Sequence, residues 1–187
     1  VHPGSSKDTM VNASLVAMEF DSMLPKGETP RDTEGYEGFY HLLNMEGECA
    51  LAKLHYIIRD HDVEKFNQRK EIMKQITDDL NKKWGKGTLV LTLKDQYRNM
   101  REVIAQHMHL IDNAKKACET VRLTPQCLPI RGGTDGCQLS FRGLPCPNLG
   151  TGGHAYHGPY EHITVEGMDK AVDMITELVK IYSIQYK

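Results

Sequence analysis

The side chains of this sequence best equipped for chemistry crowd into one glycine-rich stretch, from Pro129 to His162. It holds Arg131, Thr134, Asp135, His154, His157, Glu161 and His162 among eight glycines and four prolines. Glycine at that density marks tight turns or a backbone that approaches a ligand closely. A guanidinium such as Arg131 is a planar fork that grips a carboxylate through two parallel hydrogen bonds. Thr134 and Asp135 stand just ahead of an apolar run, where either can cap a helix whose first free N–H groups favour an anion. Further on, Thr151-Gly152-Gly153 leads into His154, His157 and His162, and a neutral imidazole is a common metal ligand. A basic fork, a helix start and a histidine-bearing glycine loop together read as a site for a metal and a carboxylate. The plainer alternative is a pair of surface turns with incidental histidines.

The elements that must carry these residues follow from hydrophobic spacing. His2-Pro3-Gly4 is a turn, and Ser6 or Asp8 can cap a helix over about 8–23, with Val11, Leu15 and Met18 on one face. Pro25 stops it, and residues 25–35 are a polar loop. Phe39–Leu43 reads as a strand and Glu46-Gly47-Glu48 as its turn. A second strand runs over 50–59, with Leu54, Tyr56 and Ile58 sharing one face, as a half-buried antiparallel strand requires. Asp60 or Asp62 caps a long helix to Trp84 with an apolar stripe of Val63, Phe66, Met73, Ile76, Leu80 and Trp84. Gly85 and Gly87 end it, and Thr88–Lys94 alternates as another strand. Helix, strand, strand, helix, strand is a split βαβ arrangement that lacks its first strand, a ferredoxin-like module with both helices on one sheet face. After Asp95 come a helix with Ile111, Ala114, Cys118 and Val121, a short strand over 127–130, a helix over 134–141 and a short strand near Asn148. A final helix places Met168, Ala171, Val172, Ile175, Leu178, Val179 and Tyr182 on one face. Alternating helix and strand fits part of a parallel α/β sheet. The fold class is therefore α+β, and the C-terminal third is expected to expose apolar surface in solution.

Composition narrows the functions available. With 187 residues, 40% hydrophobic and 26% charged, the chain has the make-up of an ordered globular protein. A net charge of −2 gives no electrostatic case for nucleic acid or an acidic membrane. Cys49, Cys118, Cys127, Cys137 and Cys146 are odd in number and form no Cys-x-x-Cys pair. They fit reduced thiols of a cytoplasmic protein better than a disulfide framework or a structural zinc site.

Several segments then fall into a known order. Arg131–Gly136, Gly143–Asn148, Gly152-Gly153 and His157-Gly158 with Glu161 follow Val1–Gly4, Met10–Ala13, Met18–Phe20, Thr33–Phe39 and Ile57–Asp62. The ordered set resembles the peptidase T family, the zinc aminotripeptidases among the di-zinc exopeptidases. That resemblance implies an inserted lid and dimerisation domain over 1–96 and a C-terminal segment of the catalytic domain over 97–187. It implies two Zn2+ ions per complete site, with His157 as the last metal ligand. His2 and Arg131 would contact the peptide substrate, and Thr134 and Asp135 would support the site from behind. The other ligands and the general base would lie upstream, since no motif for them occurs here and the chain opens at Val1 within a recognisable motif. The implied partners are a small peptide, a second copy through the lid, and the missing N-terminal catalytic half. Pro159 and His162 depart from the family's pattern, which bears on substrate preference more than on the metal. The alternatives are a non-catalytic dimerisation or binding module, a related di-zinc dipeptidase or aminoacylase, and a single-site metal binder built from His154, His157, Glu161 and His162.

Overall fold

The computed structural model describes residues Val1–Gln185. The chain separates into two compact units, one comprising Val1–Gln96 with Pro129–Gly132, the other Tyr97–Leu128 with the chain from Gly133 onward.

The first unit is a β-hairpin covered on one face by two helices. A 3-10 turn, Pro3–Ser5, precedes helix α1, Ala13–Met23. The helix begins later than spacing predicts, because Asp8 has a φ of 59°, which no right-handed helix accommodates. Asn12 is the cap instead, and its side chain accepts the Leu15 amide at 3.3 Å. Strand β1, Phe39–Gly47, pairs antiparallel with β2, Ala52–Arg59, and Leu43 forms a bulge between Leu42 and Asn44. β1 thus runs through the residues expected to turn, and the reversal falls after Gly47. Helix α2, Val63–Trp84, is capped by Asp62, whose carboxylate accepts the Lys65 amide at 2.9 Å. Gly85, at a φ of 111°, closes it where a side chain would be strained.

Phe20 of α1 and Leu24 just after it, Tyr40 of β1, and Met73, Ile76 and Leu80 of α2 form the core. Leu54, Tyr56 and Ile58 of β2 pack against it, as do Leu89 and Leu91. The predicted alternation over 88–94 is visible in burial, with Leu89, Leu91 and Leu93 half-buried and their neighbours exposed. The segment nevertheless forms no strand ladder. It is fastened to α2 by Asn81, which accepts the Leu89 amide and donates to its carbonyl, both at 2.9 Å, and by the Thr88 hydroxyl, which donates to the Trp84 carbonyl at 3.2 Å.

The second unit is mainly helical. Helix α3 is Arg101–Ile104, α4 is His109–Thr120, α5 is Asp135–Phe141 and α6 is Val165–Gln185. Two-residue strands β3, Gly153–His154, and β4, His162–Ile163, pair antiparallel. Among the described residues the strands expected over 127–130 and near Asn148 are absent, and no parallel pair forms. A lone short strand has no ladder to stabilise it. α4 packs on α6 through a face that holds buried Asn113 and Ala117, with Met174 buried on α6. The predicted apolar face of α6 is consequently split. Ala171 and Leu178 are half-buried, whereas Met168, Val172, Ile175 and Val179 are 44, 63, 50 and 63% exposed. No helix among the described residues is long and apolar enough to cross a membrane.

Burial pushes the Tyr40 phenol up to about 12. Burial and a 2.6 Å hydrogen bond to Asp21 raise Tyr56 further still. A phenol raised above its unfolded value of ~10 stabilises the fold fully below that pH, and this contribution is lost as pH rises through the folded value. We expect the phenolate absorbance of these two tyrosines to lag the exposed ones on alkaline titration. Tyr40→Phe should flatten the fall in stability above pH ~10, as read by urea unfolding.

Candidate functional site

Each unit fixes its own share of the candidate residues. In the first, His2 caps the opening turn, its Nδ1 accepting the Gly4 amide at 3.1 Å. A neutral imidazole that accepts at Nδ1 carries its proton on Nε2, and the ring is exposed, so a donor faces solvent.

Arg131 is held by the loop between α1 and β1. Nη1 donates to the Thr33 carbonyl and Nη2 to the Thr33 hydroxyl, each at 2.5 Å, and Nη2 also reaches the Glu37 carbonyl at 3.1 Å. The guanidinium carbon lies 4.9 Å from the centre of the Phe39 ring. Its Nε is buried without a hydrogen-bond partner among the described residues. The fork is thus aimed by neutral acceptors and one aromatic face. Thr33 and Glu37 are partners that sequence reasoning did not find, since roughly a hundred positions separate them from Arg131 with no shared pattern.

In the second unit Thr134 is the cap of α5. Its Oγ1 accepts the Cys137 amide at 3.3 Å and the Asn148 side-chain amide at 3.2 Å. Gly136 is required beside it, because a Cβ there would sit 2.4 Å from the Cys146 carbonyl oxygen. Asp135 occupies the first turn of α5 and is exposed.

His157 sits on the loop that joins β3 to β4. Its φ is 64° and that of Ala155 is 54°, so two non-glycine residues of one short loop take the left-handed conformation. Such strain persists where surrounding contacts enforce it, and it concentrates at functional sites. The enforcing contact is Glu161, whose Oε2 accepts the His157 amide at 2.9 Å. Across the hairpin His154 pairs with His162, their rings 5.4 Å apart and nearly parallel. His162 turns Nδ1 to the Tyr160 carbonyl at 2.8 Å.

The donor chemistry fits one position of a metal centre. A zinc site takes at least three protein ligands, and among the described residues no group of three or more His, Cys, Asp or Glu side chains could hold an ion. His157 offers a single exposed imidazole on a held loop, and a full centre needs donors beyond it.

Comparison with known proteins places this geometry in context. Residues 1–88 match a family model described as a peptidase dimerisation domain. The chain is 52% identical over 182 residues to peptidase T of Caldanaerobacter subterraneus subsp. tengcongensis, which covers 97% of this chain and 44% of that protein. The chain is homologous to a segment of peptidase T. Identity to the Clostridium perfringens SM101 peptidase T is 54% over 183 residues, and to that of Bacillus subtilis 168 it is 49% over 185. These alignments cover 98 and 99% of this chain, which spans 45% of each relative. Among solved structures, a tripeptidase from Staphylococcus aureus matches with a TM-score of 0.65 at 16% identity, covering 97% of this chain and 48% of that one. Aminopeptidase PepT from Bacillus cereus ATCC 10987 matches at 0.62 and 20%, with 95 and 47% covered. At those identities the structural likeness establishes the α+β fold.

Arg131→Lys should loosen the loop that the guanidinium now organises. One ammonium cannot serve three acceptors in that geometry, and the loss should be about 1–3 kcal/mol. Urea unfolding measures it, and amide exchange over residues 33–39 should quicken in the same variant.

Proposed function

We propose that this chain is the lid and the C-terminal catalytic segment of a zinc-dependent aminotripeptidase, an enzyme that removes the N-terminal residue from tripeptides. The observation that carries the reading is the identity of about one half to peptidase T along nearly the whole chain. The lid is residues 1–96 and the catalytic segment 97–187. His157 is one zinc ligand, its exposed imidazole making no hydrogen bond among the described residues. Zinc, when bound by the complete site, polarises the scissile carbonyl as a Lewis acid.

The remaining roles belong to this chain's own groups. Arg131 receives the peptide's terminal carboxylate, exchanging the neutral carbonyls of Thr33 and Glu37 for a charged acceptor. Charge-assisted hydrogen bonds of this kind are about twice as strong as neutral ones. His2 donates Nε2–H to the oxygen that gains charge as the carbonyl is attacked. Thr134 and Asp135 fix the start of α5 behind the site. On this reading the general base belongs to the part of the enzyme that this chain does not span, and the chain by itself does not turn over substrate.

A second copy is the proposed partner of the lid. α1 leaves Leu15 and Met18 62 and 55% exposed, and Val11 just before it 41%, on one helical face. An apolar stripe of that kind on a dimerisation domain suits a self-complementary contact. The five free cysteines accord with a cytoplasmic setting.

The test is a full-length enzyme in which this chain replaces the matching segment of the Bacillus subtilis peptidase T. It should hydrolyse tripeptides from the N-terminus. His157→Ala should remove one zinc ion and abolish turnover, whereas Arg131→Lys should act mainly by raising KM. Full zinc occupancy and turnover in His157→Ala would reject the reading.

A further inference from the structure

The strained loop contains a device that the ligand assignment does not explain. Between the paired residues of β3 and β4 the chain turns through Ala155–Glu161, with positive φ at Ala155 and His157. Two hydrogen bonds close the turn in opposite senses. The His157 amide donates to Glu161 Oε2 at 2.9 Å, and the Glu161 amide donates to the Gly158 carbonyl at 3.1 Å. Pro159 lies inside this ring and has no amide of its own to offer.

We propose that Glu161 is the positioning residue for His157. The φ of a residue fixes where its Cα–Cβ bond points, so the angle at His157 decides where the imidazole leaves the backbone. Left-handed backbone is unfavourable for a residue with a Cβ, and Ala155 shares the burden in the same loop. A carboxylate that accepts the His157 amide stabilises that conformation selectively, because the amide turns elsewhere when φ becomes negative. A charged acceptor makes the bond stronger than a carbonyl would. Nothing else in the loop is bonded to this amide: the Gly158 carbonyl is taken by Glu161's own N–H, and the histidine pair His154 and His162 is engaged across the hairpin. Glu161 therefore acts through the backbone, leaving the imidazole unencumbered. The inference rests on His157 being the metal ligand, and its first readout is independent of metal.

The experiment compares the chain with its Glu161→Ala and Glu161→Gln variants by NMR, following the φ-dependent coupling and the exchange rate of the His157 amide. Glu161→Ala should speed exchange by about tenfold or more and move the coupling away from its left-handed value. Glu161→Gln keeps a carbonyl acceptor and should recover most of both. In the full-length enzyme described above, Zn2+ affinity should fall about 10–100-fold in Glu161→Ala, the usual size of an outer-sphere loss, with rescue by Gln. An unchanged His157 amide in Glu161→Ala overturns the positioning role, whatever the metal does. A changed amide with unchanged zinc affinity also overturns it, provided His157→Ala loses zinc. If His157→Ala itself keeps all its zinc, the ligand reading is the one that fails.

Discussion

Arg69 is the residue on which the candidate carboxylate site depends. From α2 its Nε donates to Asp60 at 2.9 Å, and Nη1 pairs with Glu28 of the loop after α1. The Asp60 side chain is only 1% exposed and that of Arg69 12%. Burial lowers the guanidinium's affinity for its proton, and the bonds to Asp60 and Glu28 more than reverse this. Removing one member of so buried a group would leave an uncompensated charge, a far larger penalty than losing an exposed pair. The guanidinium also lies 5.2 Å from the centre of the Tyr40 ring, and the Tyr40 amide donates to the Glu28 carbonyl at 2.8 Å. One cation thus clamps α2, β1 and the loop together. That loop continues to Thr33 and Glu37, which aim Arg131. Arg131 is thus held by a loop that a second arginine fastens.

The two units divide the work by kind. The first unit has a packed core and capped helices, and it presents a donor on His2 and a fork on Arg131. In the second unit His157 stands on the β3–β4 loop with its amide bonded to Glu161, and the outer apolar residues of α6 are exposed. Exposed Met168, Val172, Ile175 and Val179 recur at spacings of four, three and four along α6. Such a stripe accords with a chain that spans less than half the length of its relatives.

Much of the first unit was legible in the sequence because its signals are local. Period-two alternation marked β2, a stripe at helical spacing marked α2, and Asp62 stood where a cap belongs. The α1 boundary was misread because Ser6 and Asp8 are good caps in isolation, while the backbone at Asp8 is left-handed and hands the task to Asn12. Thr88–Lys94 kept its alternation in burial without a ladder, since strand pairing depends on a neighbour that local pattern cannot supply. At the candidate site, glycine density and residue type drew attention to Arg131, Thr134 and His157, and of these Thr134 is the cap its place before an apolar run implies. Their partners were not legible. Thr33 and Glu37 reach Arg131 through tertiary folding, and Glu161's grip on an amide depends on a φ that no side-chain pattern encodes.

The central claim is that the chain carries one zinc donor and the substrate-facing lid but not a complete catalytic centre. Zinc stoichiometry and tripeptide hydrolysis, measured together on the purified chain with zinc supplied, test it most directly. The account predicts substoichiometric zinc and no turnover. Stoichiometric zinc with turnover that disappears in His157→Ala would contradict it, because the site would then be complete within these residues.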